Sequence, residues 1–348
     1  MHGSQQEQSL VALAKRRRPE ERGRVGTAHA VPRDAYRDVP LLIQPTWNHE
    51  VAAYFYFGGI SCGAYVLGAM ADLFGGERLA GIARRAHIIA FAAVAPCAPL
   101  LIDDLGMPSR FMHMLRVFKP SSPMNLGAWT LTVHSGFSAL VAMRLLARQG
   151  RLPLLGPVLL AIPEAPLAVA GLVPALTLGG YTGVLLGTTS VPVWSTSPLL
   201  GGLFMVSSLS TGAAAVALTH ALMGADSSGE ALAPLSLVLG AAELAVMGGY
   251  VATSGPGAKT LRQGTVRLLL VGAGAVTAFG VGLEVVGLCG MGNRRLLSGI
   301  AAGATLLGGA LLRWGVVSAG RVSAHDREAT LEATSPSERA PGWGPETP

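Results

Sequence analysis

The sequence predicts an all-α fold, a polytopic membrane helix bundle of about eight transmembrane helices. Two observations carry that prediction. Apolar stretches recur from about residue 51 to residue 318, most of them near the roughly 20 residues that cross a hydrocarbon core as helix. The chain is 50% hydrophobic and only 13% charged, with a mean hydropathy of +0.47, whereas a soluble domain carries about 25% charged residues. Most of it therefore belongs in a lipid bilayer, as a multi-pass protein of the cell (inner or cytoplasmic) membrane.

Residues 1–40 are rich in charge, Ser, Pro and Gly and include Lys15-Arg16-Arg17-Arg18. Such a segment buries too little apolar surface to fold alone, so it reads as a basic, disordered extension. No apolar run with a small-residue cleavage site follows the arginines, which argues against an export signal. The transmembrane domain covers 41–318. A hydropathy window of roughly 19 residues places its spans at about 51–74, 86–102, 124–147, 160–187, 199–223, 231–253, 265–289 and 296–318. From Leu152 to Gly187 the chain is apolar but interrupted by Pro153, Pro157, Pro163, Pro166 and Pro174, so one kinked helix and two shorter pieces are both open. Gly59-xxx-Gly63 and Gly299-xxx-Gly303 set small residues one turn apart for close helix packing. Trp47, Trp129 and Trp314 fall at span ends and Trp194 in a loop, where amphipathic rings favour the headgroup level. Residues 319–348 read as a disordered C-terminal tail.

The net charge of +6 lies in tails and loops, which suits lipid headgroups and gives no nucleic-acid partner. Cys62, Cys97 and Cys289 are far apart in predicted spans, so neither a disulfide framework nor a CxxC metal site is expected; they read as packing residues. Gly255-Pro256-Gly257-Ala258-Lys259-Thr260 lacks the spacer of a phosphate loop. With no GxSxG, HExxH or dinucleotide fingerprint, a self-contained soluble active site is not expected.

The candidate chemistry lies at span ends. Thr46-Trp47-Asn48-His49-Glu50 leads into a first span that also carries Tyr54, and the second span ends in Asp103-Asp104. A quinone headgroup has two carbonyls that accept hydrogen bonds, and its reduction takes up two protons. A tyrosine or histidine donor beside a carboxylate therefore fits that ligand, while interfacial anchoring and helix capping fit the same residues. Adjacent acids at a membrane edge suit proton exchange, with solvation as the plain alternative. Glu164 is the only formal charge between Arg151 and Asp226, and Glu243 and Glu284 interrupt the sixth and seventh spans. An ionised carboxylate in lipid is costly, so each is expected to face the bundle interior. Proton relay and a structural hydrogen bond are the two readings of each. The loop from Met107 to Pro120 alternates Arg110, Arg116 and Lys119 with large apolar side chains, which fits a docking surface or contact with headgroups. His87, His134 and His220 do not occur as helically spaced pairs, so no haem is expected and they read as structural.

Several motifs carry a resemblance. They are Phe57-Gly58-Gly59-Ile60-Ser61-Cys62-Gly63-Ala64-Tyr65, the DLGxPxRF run Asp104–Phe111, the SPMxxGxW run Ser122–Trp129, Tyr181-Thr182-Gly183 and Ser210-Thr211-Gly212. Over roughly residues 46–318 the chain resembles the NrfD/polysulfide reductase membrane-subunit family. The resemblance implies an eight-helix bundle that binds menaquinone or ubiquinone near one membrane face, without haem. It also implies a ferredoxin-like iron–sulfur subunit and, beyond it, a molybdopterin or multihaem catalytic subunit. The family's pocket positions fall on Asn48, His49, Glu50 and Tyr54 in the first span and Tyr181 in the fourth, with Asp103 and Asp104 matching its acidic second-span end. Proton transfer would fall to Asp104, Glu164, Glu243 and Glu284, and partner docking to Arg110, Arg116 and Lys119.

The leading expectation is thus a quinone-interacting anchor of a respiratory oxidoreductase, a component without a catalytic centre of its own, which exchanges electrons with an iron–sulfur partner and accompanies this with proton transfer. A proton- or ion-translocating subunit and a structural anchor without quinone chemistry stay open beside it.

Overall fold

The computed structural model describes residues 42, 45–106, 108–223 and 231–334. The basic extension at 1–40 lies outside the described residues. Eight helices are long and apolar enough to cross a membrane, and the described residues contain no strand. The helices are α1 (His49–Phe74), α2 (Gly76–Val94), α3 (Cys97–Asp104), α4 (Pro108–Arg116), α5 (Pro123–Arg148), α6 (Gly156–Ala161), α7 (Glu164–Gly187), α8 (Pro192–Ser195), α9 (Leu200–Met223), α10 (Leu232–Thr253), α11 (Ala258–Leu261), α12 (Gly264–Leu288), α13 (Arg294–Ser323) and α14 (Arg327–Thr334). Together α2 and α3 make one span, Gly76–Asp104. Successive spans alternate direction, so the start of α1, the ends of α3, α7, α10 and α13 and the segment 105–122 share one face, the entry face.

Two elements differ from the sequence expectation and a third takes one of the alternatives left open, each for a physical reason. The second span begins at Gly76, ten residues before the expected start, because α1 turns straight into it at Gly75 and the charged stretch 77–85 continues as helix. It breaks at Ala95-Pro96, where proline supplies no amide hydrogen to the helical ladder. The proline-rich region forms two pieces, α6 and α7, separated at Ile162-Pro163. Arg144 of α5 stabilises that break: its guanidinium donates to the carbonyls of Leu159 at 2.7 Å, Leu160 at 3.2 Å and Ile162, the acceptors that the end of a helix leaves unbonded. The last span runs on to Ser323, and Arg327–Thr334 fold as another helix inside the stretch expected as tail. Trp194 holds this end: it is fully buried rather than interfacial, stacks on Trp47 at 5.5 Å and donates from Nε1 to the Val316 carbonyl at 2.8 Å. Residues 335–348 lie outside the described residues.

The centre of the bundle is α1 against α9, and small residues set their separation. A Cβ placed on Gly63 would lie 2.0 Å from the Ser208 carbonyl oxygen, and one on Gly212 would lie 2.3 Å from the Ala64 nitrogen. Helix association in lipid depends on this close approach rather than on a hydrophobic driving force. Of the other small-residue pair, Gly299 abuts Ala221 whereas a Cβ on Gly303 would meet nothing within 4 Å. Gly63→Val is accordingly expected to lower the thermal midpoint of the detergent-purified protein, at a cost of about 1–3 kcal/mol for overpacking. Gly303→Ala should leave it unchanged, and equal midpoints for the two variants would refute the packing argument.

Candidate functional site

The polar residues of the entry face divide between two sides of α1. Glu50 and Tyr54, one helical turn apart, share a face, while His49 and Tyr56 share another. Tyr54 is buried beside Cys97 and within electrostatic reach of Tyr181, and the Cys97 thiol lies 4.0 Å from the Tyr54 carbonyl. Asp104 feels the fields of Glu50 and Asp103. Tyr54, Tyr181, Glu50, Asp103 and Asp104 therefore belong to one region between α1, α3 and α7.

Glu50 lies in the first turn of α1, where the dipole favours an acid, but the placement of the other two does not serve helix stability. Asp103 and Asp104 end α3, where the helix dipole disfavours negative charge. Among the described residues no ion pair takes up Glu50, Asp103 or Asp104. Three neighbouring carboxylates at a membrane face, exposed or half-buried, form a set that can hold and release protons.

Tyr181 shows why the sequence before it has its form. Its hydroxyl donates to the Pro123 carbonyl. Its ring lies over Gly127, where a Cβ would approach to 2.5 Å. Ser122 caps α5 by accepting from the Asn125 amide at 3.5 Å. The Asn125 side chain then clamps the preceding loop, donating to the carbonyls of Met114 at 2.6 Å and Val117 at 3.0 Å and accepting from the Lys119 amide at 2.7 Å. The SPMxxGxW run is thus a local device that fixes both the tyrosine and the loop.

His49 turns away from this group. Its Nδ1 accepts from Trp314 Nε1 at 3.0 Å, which leaves the neutral ring with its hydrogen on Nε2. Asn48 is exposed at the start of α1 and makes no side-chain cap. Arg116 and Lys119 are exposed beside exposed Met112, Val117 and Phe118; the side chain of Arg110 lies outside the described residues.

The remaining predicted acids are dispersed. Glu164 does not face the interior: it is half-buried in the first turn of α7, where the helix dipole favours an acid, and it pairs with Arg148 on the face opposite the entry face. Glu284 is buried near that same face and accepts from Ser298 at 3.0 Å. Glu243 is buried at mid-bundle against Ser207 and Ser210, and its Oε2 has no hydrogen-bond partner among the described residues.

Beside Glu243 stands a residue that sequence reasoning misses. Arg313 is fully buried and donates from Nε to the Phe55 carbonyl at 3.0 Å, and from its terminal nitrogens to Ser207 Oγ at 2.8 Å, Gly309 O at 3.0 Å and Ser208 Oγ at 3.3 Å. Its signal in the sequence is a single cation inside the apolar run Leu311-Leu312-Arg313-Trp314. His87 and His134 are likewise buried and hydrogen-bonded, to Asp72 and to Ser61 respectively.

The fold and this face define a class: a multi-pass membrane helix bundle with buried ionisable groups and an acid–tyrosine cluster at one membrane face. Residues 41–324 match the description Polysulphide reductase, NrfD, and the chain belongs to that family. It is 31% identical over 176 residues to the C component of polysulfide reductase from Wolinella succinogenes, a match that covers 48% of this protein and 55% of that one. It is 25% identical over 219 residues to the C component of selenate reductase from Mesobacillus selenatarsenatis, covering 54% and 51%, and 29% identical over 190 residues to protein NrfD of Escherichia coli, covering 51% and 60%. The matched part spans about half the length of each of these relatives.

Proposed function

We propose that this chain is the quinone-reactive membrane subunit of a multisubunit respiratory oxidoreductase and exchanges electrons between a menaquinone or ubiquinone pool and an iron–sulfur partner. The observation that carries this reading is the gathering of Tyr54, Tyr181 and three carboxylates, without ion pairs among the described residues, at the entry face of an NrfD-family bundle. A bound quinone supplies the two-electron, two-proton carrier. The chain supplies the Tyr54 phenol, and the Tyr181 phenol once it turns from the Pro123 carbonyl, as donors that orient it, and acids that exchange protons at the membrane edge. Glu50, Asp103 and Asp104 are the proposed proton-exchanging groups; Asn48 and His49, on the rim, are assigned to headgroup contact at the opening. Arg110, Arg116 and Lys119 with the exposed apolar side chains around them form the proposed docking surface for the iron–sulfur subunit, beyond which a molybdopterin or multihaem subunit would act on the terminal substrate. Relatives named as components of polysulfide and selenate reductases support a role as one component among several.

The test is affinity purification in mild detergent, followed by organic extraction for quinone, an absorption spectrum and identification of co-eluting proteins. Extracted quinone and a co-eluting iron–sulfur protein are the expected result. A b-type haem spectrum, or a pure chain without quinone or partner, would overturn it.

A further inference from the structure

We propose that the groove between the end of α9 and the start of α13, on the face opposite the entry face, binds an anionic phospholipid. Arg295 and Asn293 would hold its phosphate, and one acyl chain would lie along α13. The site stands apart from the quinone chemistry of the entry face. The groove has a volume of about 440 Å³, and no carboxylate lines it among the described residues. Small residues form its floor: a Cβ on Gly299 would lie 3.1 Å from the Ala221 Cβ. Leu222, Leu296 and Ile300 supply its apolar walls.

The apolar wall continues past the groove. Leu296, Ile300 and Leu307 are 60%, 46% and 53% exposed and lie within about 40° of one another around α13. This stripe runs about 16 Å along the helix axis from the membrane face, to a depth where an exposed leucine meets acyl chains rather than water. Leu222, 73% exposed, borders the same trough from α9.

The polar end is supplied at the start of α13. Arg295 donates from Nε to the Ala221 carbonyl at 2.7 Å and from Nη2 to the Leu222 carbonyl at 3.4 Å, acceptors that the end of α9 leaves open. These bonds fix the guanidinium at the groove and use two of its five N–H groups. Its Nη1 has no partner among the described residues. Asn293 Oδ1 accepts from the Leu296 amide at 3.2 Å, and the side-chain NH2 has no partner among the described residues. Arg294 lies within electrostatic reach of Glu284, so the cation that lines the groove is Arg295. A guanidinium edge binds phosphate oxygens in pairs, and basic recesses between transmembrane helices at a membrane face receive anionic headgroups. A zwitterionic lipid brings its own cation to the phosphate, so the site should favour a net negative headgroup.

The test uses the full chain, purified in mild detergent and stripped of lipid, then exposed to phosphatidylglycerol, phosphatidylcholine or inorganic phosphate. Native mass spectrometry counts the bound lipid, and the thermal midpoint is recorded for each addition. Phosphatidylglycerol is expected to be retained about fivefold more than phosphatidylcholine, the scale of one cation's attraction for an anionic lipid. Arg295→Gln should abolish that preference and Arg295→Lys should keep it, although lysine does not reproduce both carbonyl bonds. Ile300→Trp, which fills the trough and leaves Arg295 in place, should lower phosphatidylglycerol retention at least fivefold with little change in the lipid-free midpoint. Should Arg295→Gln fail to fold, Ile300→Trp decides the matter alone. Equal retention of the two lipids by the parent, a preference that survives Arg295→Gln, or unchanged retention in Ile300→Trp overturns the proposal. So does a midpoint shift from inorganic phosphate equal to that from phosphatidylglycerol, which would mark a simple anion site.

Discussion

Replacement of Arg313 by leucine is expected to be the most damaging single substitution in this bundle. The guanidinium satisfies two backbone carbonyls and two serine hydroxyls in a fully buried position, and it lies within 6 Å of the ring centroids of Tyr56 and Phe204. Through Ser207 it also reaches Glu243, whose burial it compensates. Removal of the guanidinium leaves two buried carbonyls and two buried hydroxyls without their donor, at about 1–3 kcal/mol for each group left unsatisfied. Arg313→Leu should therefore yield little folded protein, or a thermal midpoint far below that of the parent in detergent. Arg313→Lys should fall between, since an ammonium does not reproduce the planar fork that serves Phe55, Ser207 and Ser208. Adding Glu243→Gln to Arg313→Leu should recover part of the loss, and the double-mutant cycle measures that coupling. Parent-like stability of Arg313→Leu would show that the cluster holds nothing together.

Conversion of both Tyr54 and Tyr181 to phenylalanine is expected to reduce quinone-dependent turnover of the assembled complex by about 10–100-fold, the scale of losing hydrogen bonds to a group that gains charge. Stability should change far less, by roughly 1 kcal/mol for the bond from Tyr181 to Pro123. A turnover measurement at saturating quinone, paired with the thermal midpoint, separates the two effects. Unaltered turnover in the double variant would favour a structural anchor. Loss confined to Tyr181→Phe, with a lowered midpoint, would point to its clamp on Pro123 instead of to quinone contact.

Much of the architecture is legible in the sequence because a bilayer restricts the solutions. Apolar runs of membrane length must be helical, so the number of spans and most of their limits follow from hydropathy. The break in the proline-rich region is visible there as an ambiguity; which solution forms depends on Arg144, fifteen residues away, offering its donors to the freed carbonyls. The final span outruns its hydropathy because Trp194 covers its last turns and Ser323 accepts from the Val193 amide, a contact across 130 residues. The candidate site is legible as a set of residue types at span ends, and its division is not. His49 and Glu50 are neighbours in sequence, yet about one hundred degrees of helical rotation sends His49 to Trp314 and Glu50 toward Asp104. Glu164 looks like an interior acid because its surroundings are apolar; its position in the first turn of α7 places it opposite Arg148.

The sequence by itself determined that this protein is an eight-span helical membrane bundle of the NrfD type, with its candidate quinone chemistry near one face. Only the tertiary structure decided which ionisable residues meet. Arg313 with Ser207 and Glu243, and Asp72 with His87, are pairings between different helices, and hydropathy, which scores each segment alone, carries no information about the rotation of one helix against another.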